Sequence, residues 1–306
     1  MAPLSKSFIG KQPPRLTVLV ACTTLLCFLA LYPFKRKASF TENAAYGPMH
    51  LANPTYSYDN KPGNFPAEKT NVLSYSLYGD DPRYTVGALA NSELYKDTFP
   101  GWSMRVYHDN SVPRDILEGL ISNGVELIDM SDSDLNPMTW RFLAASDSSI
   151  ARMCSRDLDS RLSFREFHAV DEWAHSKFTA HVIRDHPSHM EIRCKMPGGM
   201  WCAQRSVLKD MKRMIDSYSK NTGYDMDQQF LAKIVWPKIR SVVLQHVSFG
   251  CDEHINSRPI LPRAGLEHIG AVYLNGKMRT SDTDILRVAI TEGSECTGRE
   301  TGTSVT

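Results

Sequence analysis

The stretch that most narrows what this chain can fold into is Ile150–Glu166. Its first half is short, mostly apolar and preceded by polar turn residues, which predicts a buried strand. It stops on Arg156-Asp157-Leu158-Asp159-Ser160-Arg161, and Ser163-x-x-Glu166 then has the capping-box spacing that starts a helix. A strand, an acidic turn and a helix in that order place polar groups at the carboxyl end of a strand, where open α/β sheets bind ligands. In extended backbone Asp157 and Asp159 point the same way, and a hard divalent cation relieves the repulsion of two such carboxylates. Arg156 and Arg161 flank the pair, and guanidinium groups suit bidentate phosphate recognition. The plainer reading is a solvated turn whose aspartates pair with neighbouring arginines. A helix-loop-helix calcium loop is disfavoured, because its sixth position needs Gly and carries Leu162.

The rest of the chain repeats the alternation. Strands are predicted over Val72–Leu77, Ser103–His108, Val125–Ile128, Ile150 onward, from His181, and over Val242–His246, with Ile269–Tyr273 as a candidate last one. Helices are predicted over Arg83–Phe99, Pro113–Ser122, Met138–Ala145, Phe164–His175, Ser206–Tyr218 and from Gly223 to Trp236-Pro237. Val86, Leu89, Ala90 and Leu94 are the expected inner face of the first helix, and Phe164, Phe167, Val170, Trp173 and Ala174 that of the fourth. Strands alternating with helices imply an α/β protein with a mostly parallel open sheet flanked by helices.

Before this sheet comes a basic tail, Met1–Arg15, then a run without charge from Leu16 to Tyr32. As a helix that run reaches about 26 Å, enough for a thin bilayer. Tyr32 and Phe34 suit the interface, and Lys35-Arg36-Lys37 closes the span. The basic cluster and the lack of a small-x-small site favour an uncleaved transmembrane anchor at 16–34 over a cleaved signal peptide. Three basic residues lie on each side, so charge leaves the orientation open. Residues 35–70, rich in Asn, Pro, Ser and Gly, read as a stem, 71–290 as the globular domain and 291–306 as a disordered tail. The net charge of +1 over 306 residues argues against nucleic acid as a partner.

His186 and His189 have metal-ligand spacing, but Pro187 lies between them and no Cys-x-x-Cys accompanies them. The turn Gly198-Gly199 allows close backbone approach to a ligand, or is a simple hairpin. Five cysteines follow the anchor and stem, Cys154, Cys194, Cys202, Cys251 and Cys296, an odd number that leaves at least one without a partner among them; Cys194 and Cys202 are the closest in sequence.

Four motifs in order, Arg156-Asp-Leu-Asp-Ser-Arg161, Arg184-Asp-His-Pro187, Gly198-Gly-Met-Trp201 and Asp227-Gln-Gln-Phe-Leu231, resemble those of membrane-anchored nucleotide-sugar glycosyltransferases of the GT-A fold. Val72–His108 and Trp140–Leu143 fit the same pattern, so the resemblance spans about Val72 to Tyr273. It implies that Asp157 and Asp159 bind Mn²⁺ (or Mg²⁺) bridging a sugar diphosphate, with His246 as a late metal ligand. It implies further that Arg141, Arg156, Arg161 and Asp157 contact the donor, and that Asp185, His186, Gly198, Gly199 and Trp201 line the sugar and acceptor side. The implied setting is a Golgi or endoplasmic reticulum membrane protein with a lumenal domain, using a nucleotide-sugar donor and a glycan, glycoprotein or glycolipid acceptor.

The chemistry asks for an acceptor base, and Asp227 is the candidate, with Asp225 second; both are equally readable as carboxylates favouring a helix N-terminus. Cys202 and Val247 depart from the family pattern and motivate a second function class, a catalytically inactive glycan-binding or assembly subunit. A membrane-anchored metal-dependent phosphohydrolase is the third.

Overall fold

The computed structural model describes residues 70–190, 195–218, 225–250 and 253–296. The expected tail and anchor, all of the stem before Thr70, and residues 297–306 lie outside the described residues. Among the described residues no helix is long and apolar enough to cross a membrane.

The first half runs β1 (Thr70–Leu77), α1 (Pro82–Thr98), β2 (Trp102–His108), α2 (Arg114–Ser122), β3 (Glu126–Asp129), α3 (Pro137–Trp140), β4 (Ile150–Arg156), α4 (Phe164–Ala174) and β5 (Ala180–Arg184). Then come β6 (Met200–Gln204), α5 (Arg205–Leu208), α6 (Met211–Tyr218), α7 (Met226–Phe230), α8 (Trp236–Ile239), β7 (Val243–Val247) and β8 (Ser257–Pro259). A hairpin of β9 (Tyr273–Leu274) and β10 (Lys277–Met278) precedes α9 (Thr280–Thr291).

The main sheet has the order β3-β2-β1-β4-β6-β5-β7-β8. Every neighbouring pair is parallel except those involving β6, which runs antiparallel to both β4 and β5. The expected mostly parallel sheet with flanking helices is therefore present. Alternate residues of each strand feed two cores. Val72, Ile150, Met153, Val182 and Val243 pack under α6, α7 and α8, with Met211, Ile215 and Phe230. Leu73, Tyr75, Met104, Ile183 and Leu244 pack under α1, α2 and α4, with Ala88, Leu120, Val170 and Trp173. Parallel strands covered on both faces explain why their sequences are near-continuous apolar runs.

Several expectations are corrected. Met200–Gln204, read only as part of a turn, is the antiparallel strand β6; a short apolar run does not announce strand direction. Phe164 is 71% exposed rather than core, because it is the first residue of α4 and points off its start. The helix expected to end near Trp236-Pro237 is present in three segments: α7 continues through a wide π-helical turn, Leu231–Val235, into α8, which carries Pro237 and ends at Ile239. Ile269–Val272 is a loop, and α9 was not anticipated. The supposed disordered tail begins too early: Cys296 N donates to Ser248 O at 2.8 Å and Glu295 pairs with Arg263. Cys202 bonds to Cys154, its direct cross-strand partner in β4, and not to Cys194.

The inner face of α1 is rotated from expectation, although Leu89 does pack against the core. Val86 and Leu94 are exposed, while Thr85, Gly87, Ala88, Asn91, Ser92 and Tyr95 are buried. This polar, small-residue face packs against a polar loop, the one containing Asp157 and Asp159.

Candidate active-site cleft

The order of the strands reverses at β1, which lies between β2 and β4 although β2 and β4 leave it in opposite directions across the sheet. A cleft of about 370 Å³ opens there, at the carboxyl ends of the strands. Ser76 and Tyr78 reach it from the end of β1, Asp157 and Asp159 from the turn after β4, and Asp225, Asp227 and Gln228 from the start of α7.

Strand β4 ends at Arg156 and the acidic residues follow in a tight turn, with Ser160 Oγ donating to Asp157 O at 2.9 Å. The turn sets the carboxylates differently from a continuous strand. Asp157 pairs with Arg141, and Asp159 accepts from Arg83 Nε at 2.9 Å as well as from its Nη2. Three residues of α1, spaced four apart, hold the turn. Arg83 takes Asp159. Gly87 lets the helix touch Leu158, whose carbonyl carbon would lie 2.9 Å from an added Cβ with the oxygen closer still. Asn91 donates to Ser160 O at 2.9 Å and accepts from Leu162 N at 3.2 Å.

Arg141 is the central cation. Ser74 Oγ donates to its carbonyl at 2.6 Å and Ser76 Oγ accepts from its N–H at 3.0 Å, so two β1 serines fix its backbone. Its guanidinium bridges Asp157 and Asp227, the latter at 2.9 Å. Burial disfavours its charge, but Asp157 and Asp227 outweigh that and hold its pKa above the ordinary value. Asp227 is buried. Burial first, and Asp157 second among the raising influences, push its pKa up against the opposing effect of Arg141. Asp159 is shifted the same way, by burial first and by the like charge of Asp157 next, with Arg83 opposing.

Because β6 runs antiparallel, the Gly198-Gly199 turn before it arrives at the same edge as the end of β4; Arg156 is the register partner of Met200. Ser155 Oγ donates to Gly198 O at 2.7 Å. A Cβ on Gly198 would lie 2.7 Å from Arg141 Nη2, and one on Gly199 2.9 Å from Asp157 N and nearer still to its carboxylate. The glycines thus permit close approach to the protein's own charged groups. Turned to satisfy both neighbours, the Gln228 amide accepts from Gly198 N at 2.8 Å and donates to Met196 O at 3.1 Å.

Other expected site residues are elsewhere. Arg156 points to the opposite face of the sheet, where it pairs with buried Glu166. Trp201 is wholly buried against Phe142, with ring centroids 5.5 Å apart. Asp185 is 0% exposed: Arg165 and Arg263 pair with it, Ser248 Oγ donates to it, and Ile269 N donates at 2.7 Å. It anchors the start of the loop that crosses the acidic turn, where Tyr273 N donates to Asp159 O at 2.7 Å. His186 is engaged by Ser188 Oγ at 2.7 Å and Asp282 O at 2.9 Å, so it supports α9 and does not line the cleft. His246 is not beside the aspartates. It lies three strands from β4, buried, with Nδ1 2.7 Å from His181 Nε2 and Nε2 3.0 Å from Glu172 Oε2. Arg161 does not line this cleft either.

Sequence reading missed Arg83, Tyr84, Ser76, Tyr78, Gly270 and Gln228. Arg83, Gly87 and Asn91 did carry a signal, polar and small residues at helical spacing beside apolar ones, but periodicity arguments look for the apolar stripe.

The donor set suits a hard cation such as Mn²⁺ or Mg²⁺, which takes oxygen ligands and retains waters. Asp157 and Asp159 lie close enough for the charge of one to raise the pKa of the other. Among the described residues no three His, Cys, Asp or Glu side chains gather into a cage; Asp157 and Asp159 are the carboxylate donors that the turn brings to the cleft, each paired with an arginine.

No protein-family model matches the sequence, and no curated protein does. Solved structures that match include glucosyl-3-phosphoglycerate synthase from Mycobacterium tuberculosis, 15% identical over 59% of this chain and 70% of that one, with a TM-score of 0.40. Others are the galactosyltransferase LgtC crystallised with donor and acceptor sugar analogues (11% identity, 58% and 73% coverage, TM-score 0.39) and 4-diphosphocytidyl-2C-methyl-D-erythritol synthase from Anaerococcus prevotii (9%, 74% and 97%, 0.41). Likeness this loose carries no argument about activity, which has to come from the chain's own residues. Those define an open, mostly parallel α/β protein with an acidic and arginine-lined cleft at the strand ends.

Proposed function

We propose that the chain is a metal-dependent glycosyltransferase of the GT-A type, moving a sugar from a nucleotide diphosphate to a glycan-bearing acceptor. The observation that carries this reading is the meeting of Asp157, Asp159, Arg141 and Asp227 in one cleft at the carboxyl edge of the sheet. Asp157 and Asp159 would hold Mn²⁺ or Mg²⁺, which when bound supplies charge neutralisation for the departing diphosphate. Arg141 would bind phosphate oxygens on the same side. The exposed rings of Tyr78 and Tyr84 offer stacking faces for a nucleobase. Asp227, with its raised pKa, is the candidate base toward an acceptor hydroxyl once Arg141 turns to the donor. Asp225 is exposed, accepts from Gln229 Nε2 at 2.9 Å and serves better as a helix-start group.

The test is a thermal-shift screen of nucleotide sugars with and without Mn²⁺, followed by hydrolysis assays with and without acceptor sugars. Metal-dependent stabilisation and acceptor-dependent turnover are the expected results. Nucleotide-sugar hydrolysis that no acceptor redirects would point to a phosphohydrolase. Metal-dependent binding without any turnover would favour the second reading, an inactive glycan-binding or assembly subunit. A specific observation supports that alternative: both aspartates are already engaged by arginines, and His246 brings no third ligand.

For location, the uncharged run at Leu16–Tyr32 supports a single-pass anchor, and the motif resemblance, not the charge, supports a domain in the secretory lumen at the Golgi or endoplasmic reticulum. Protease added to sealed vesicles should spare the domain; its digestion without detergent would reverse the orientation.

A further inference from the structure

Arg161 lines a second cavity, of about 590 Å³, together with Asp81, Arg83, Val86, Tyr273 and Leu274. Asp159 lines the main cleft and its partner Arg83 lines this one, so the pair is a wall between the two. The guanidinium of Arg161 lies 4.9 Å from the centroid of the Tyr273 ring. Its hydrogen bonds among the described residues all run through Nη1, to Leu158 O at 3.3 Å and Ser160 O at 2.8 Å.

Arg83, Arg141, Arg156, Arg165 and Arg263 each pair with a carboxylate. Arg161 has no ion-pair partner among the described residues. It is partly buried, with its guanidinium set against the Tyr273 ring. A guanidinium on a cavity wall with donors left over is what an oxyanion needs. The start of α1 adds little, since Arg83 N donates to Asp81 Oδ1 and the amides of Tyr84 and Thr85 donate to Asp81 O. Asp81 opposes an anion and Asp159 already holds Arg83, so Arg161 is the cavity's cation without an ion pair among the described residues.

We propose that this second cavity is an oxyanion subsite, taking a phosphate or carboxylate carried by a substrate, with Arg161 and Arg83 as its recognition residues and the Tyr273 ring holding Arg161 flat. In the transferase reading, on which its role in catalysis rests, the anion belongs either to the donor diphosphate or to the acceptor. Engagement of Asp159 by a cation in the main cleft would release Arg83 to the subsite, so that the two cavities fill together.

The experiment is calorimetric titration of the full-length chain in detergent with inorganic phosphate. Arg161→Met should weaken phosphate binding by about tenfold or more, the loss of one charge-assisted contact, and leave the melting temperature near the parent's. Arg161→Lys should fall between, and it carries the test if Arg161→Met fails to fold. The proposal is overturned if the parent binds no phosphate, or if Arg161→Met and Arg161→Lys bind it as the parent does. Repeating the titration with Mn²⁺ and each of a panel of nucleoside diphosphates present separates the sources: competition assigns the subsite to the donor diphosphate, and simultaneous binding assigns it to the acceptor. Absence of Mn²⁺-dependent binding of any nucleoside diphosphate would sink the transferase reading while leaving the phosphate result standing.

Discussion

Replacing Gly199 by Ala tests whether the glycine turn sets the position of Asp157. The backbone at Gly199 does not need a positive φ, so the substitution is not strained by its own dihedrals. The difficulty is space. The new Cβ would lie 2.9 Å from Asp157 N and nearer to the carboxylate, against ordinary carbon contacts of about 3.5–4.0 Å. Asp157 cannot swing aside without breaking its pair with Arg141, so either the turn or the carboxylate must shift by about 1 Å. Overpacking of this kind costs about 1–3 kcal/mol, partly offset by about 0.4–1 kcal/mol from the stiffer unfolded chain. For a domain of this size each kcal/mol is worth roughly 2–4 °C, so melting should fall by a few degrees. Displacement by about 1 Å of a group that orients the reacting atoms can cost on the order of a hundredfold in rate. Differential scanning calorimetry and Mn²⁺-dependent binding across a panel of nucleoside diphosphates give the two readouts. Gly198→Ala is the comparison: its Cβ meets only side-chain ends, those of Arg141, Gln228 and Asp227, and no backbone atom, so the turn itself need not shift and the loss of stability should be smaller. A Gly199→Ala variant that melts with the parent and binds nucleoside diphosphate and Mn²⁺ equally well would show that the turn does not control Asp157.

Three further outcomes are expected. Asp159→Asn should lower metal-dependent turnover by about a hundredfold or more, while melting in the absence of metal stays close to the parent's, since it removes one of two mutually repelling carboxylates; near-parent turnover would refute the role of the pair. Asp185→Asn should destabilise by about 3–5 kcal/mol, because two buried arginines lose their shared partner; chemical denaturation measures this, and a loss below about 1 kcal/mol would contradict the structure. His181 is fully buried, and burial first, then the nearby His246, hold its pKa well below the ordinary histidine value. The unfolded chain therefore takes up the proton first, and stability should fall as pH drops below about 6.5, by at most about 1.4 kcal/mol per pH unit from this group. His181→Phe keeps the stack on Trp173 and should make the pH dependence of melting shallower.

The alternation of strands and helices, and the acidic turn after β4, were legible without any coordinates, because burial on both sheet faces writes apolar runs and the cap Ser163 writes a helix start. Asp157 and Asp159 stood out by their spacing, whereas Arg141 and the glycine pair were joined to them only through the resemblance of the motifs, which brought in Arg156, Trp201, Asp185 and His246 as well. Nothing in the local pattern disclosed that β6 runs antiparallel, and that reversal is what carries Gly198 and Gly199 to the edge where Asp157 emerges. Local pattern could not separate side chains that face the cleft from neighbours one residue away that face a core: Arg156 and Trp201 are in the motifs yet buried behind them. Nor could it tell a site residue from a polar scaffold, so Asp185, His186 and His246 read as ligands when their hydrogen bonds hold elements together. The inner face of α1 was hidden for the opposite reason. Arg83, Gly87 and Asn91 pack against the polar backbone of a loop while Ala88, Leu89 and Tyr95 meet the core, and a helix face divided between a polar and an apolar partner carries no continuous hydrophobic stripe to read; only the folded chain, by bringing that loop against the helix, decides which side is buried.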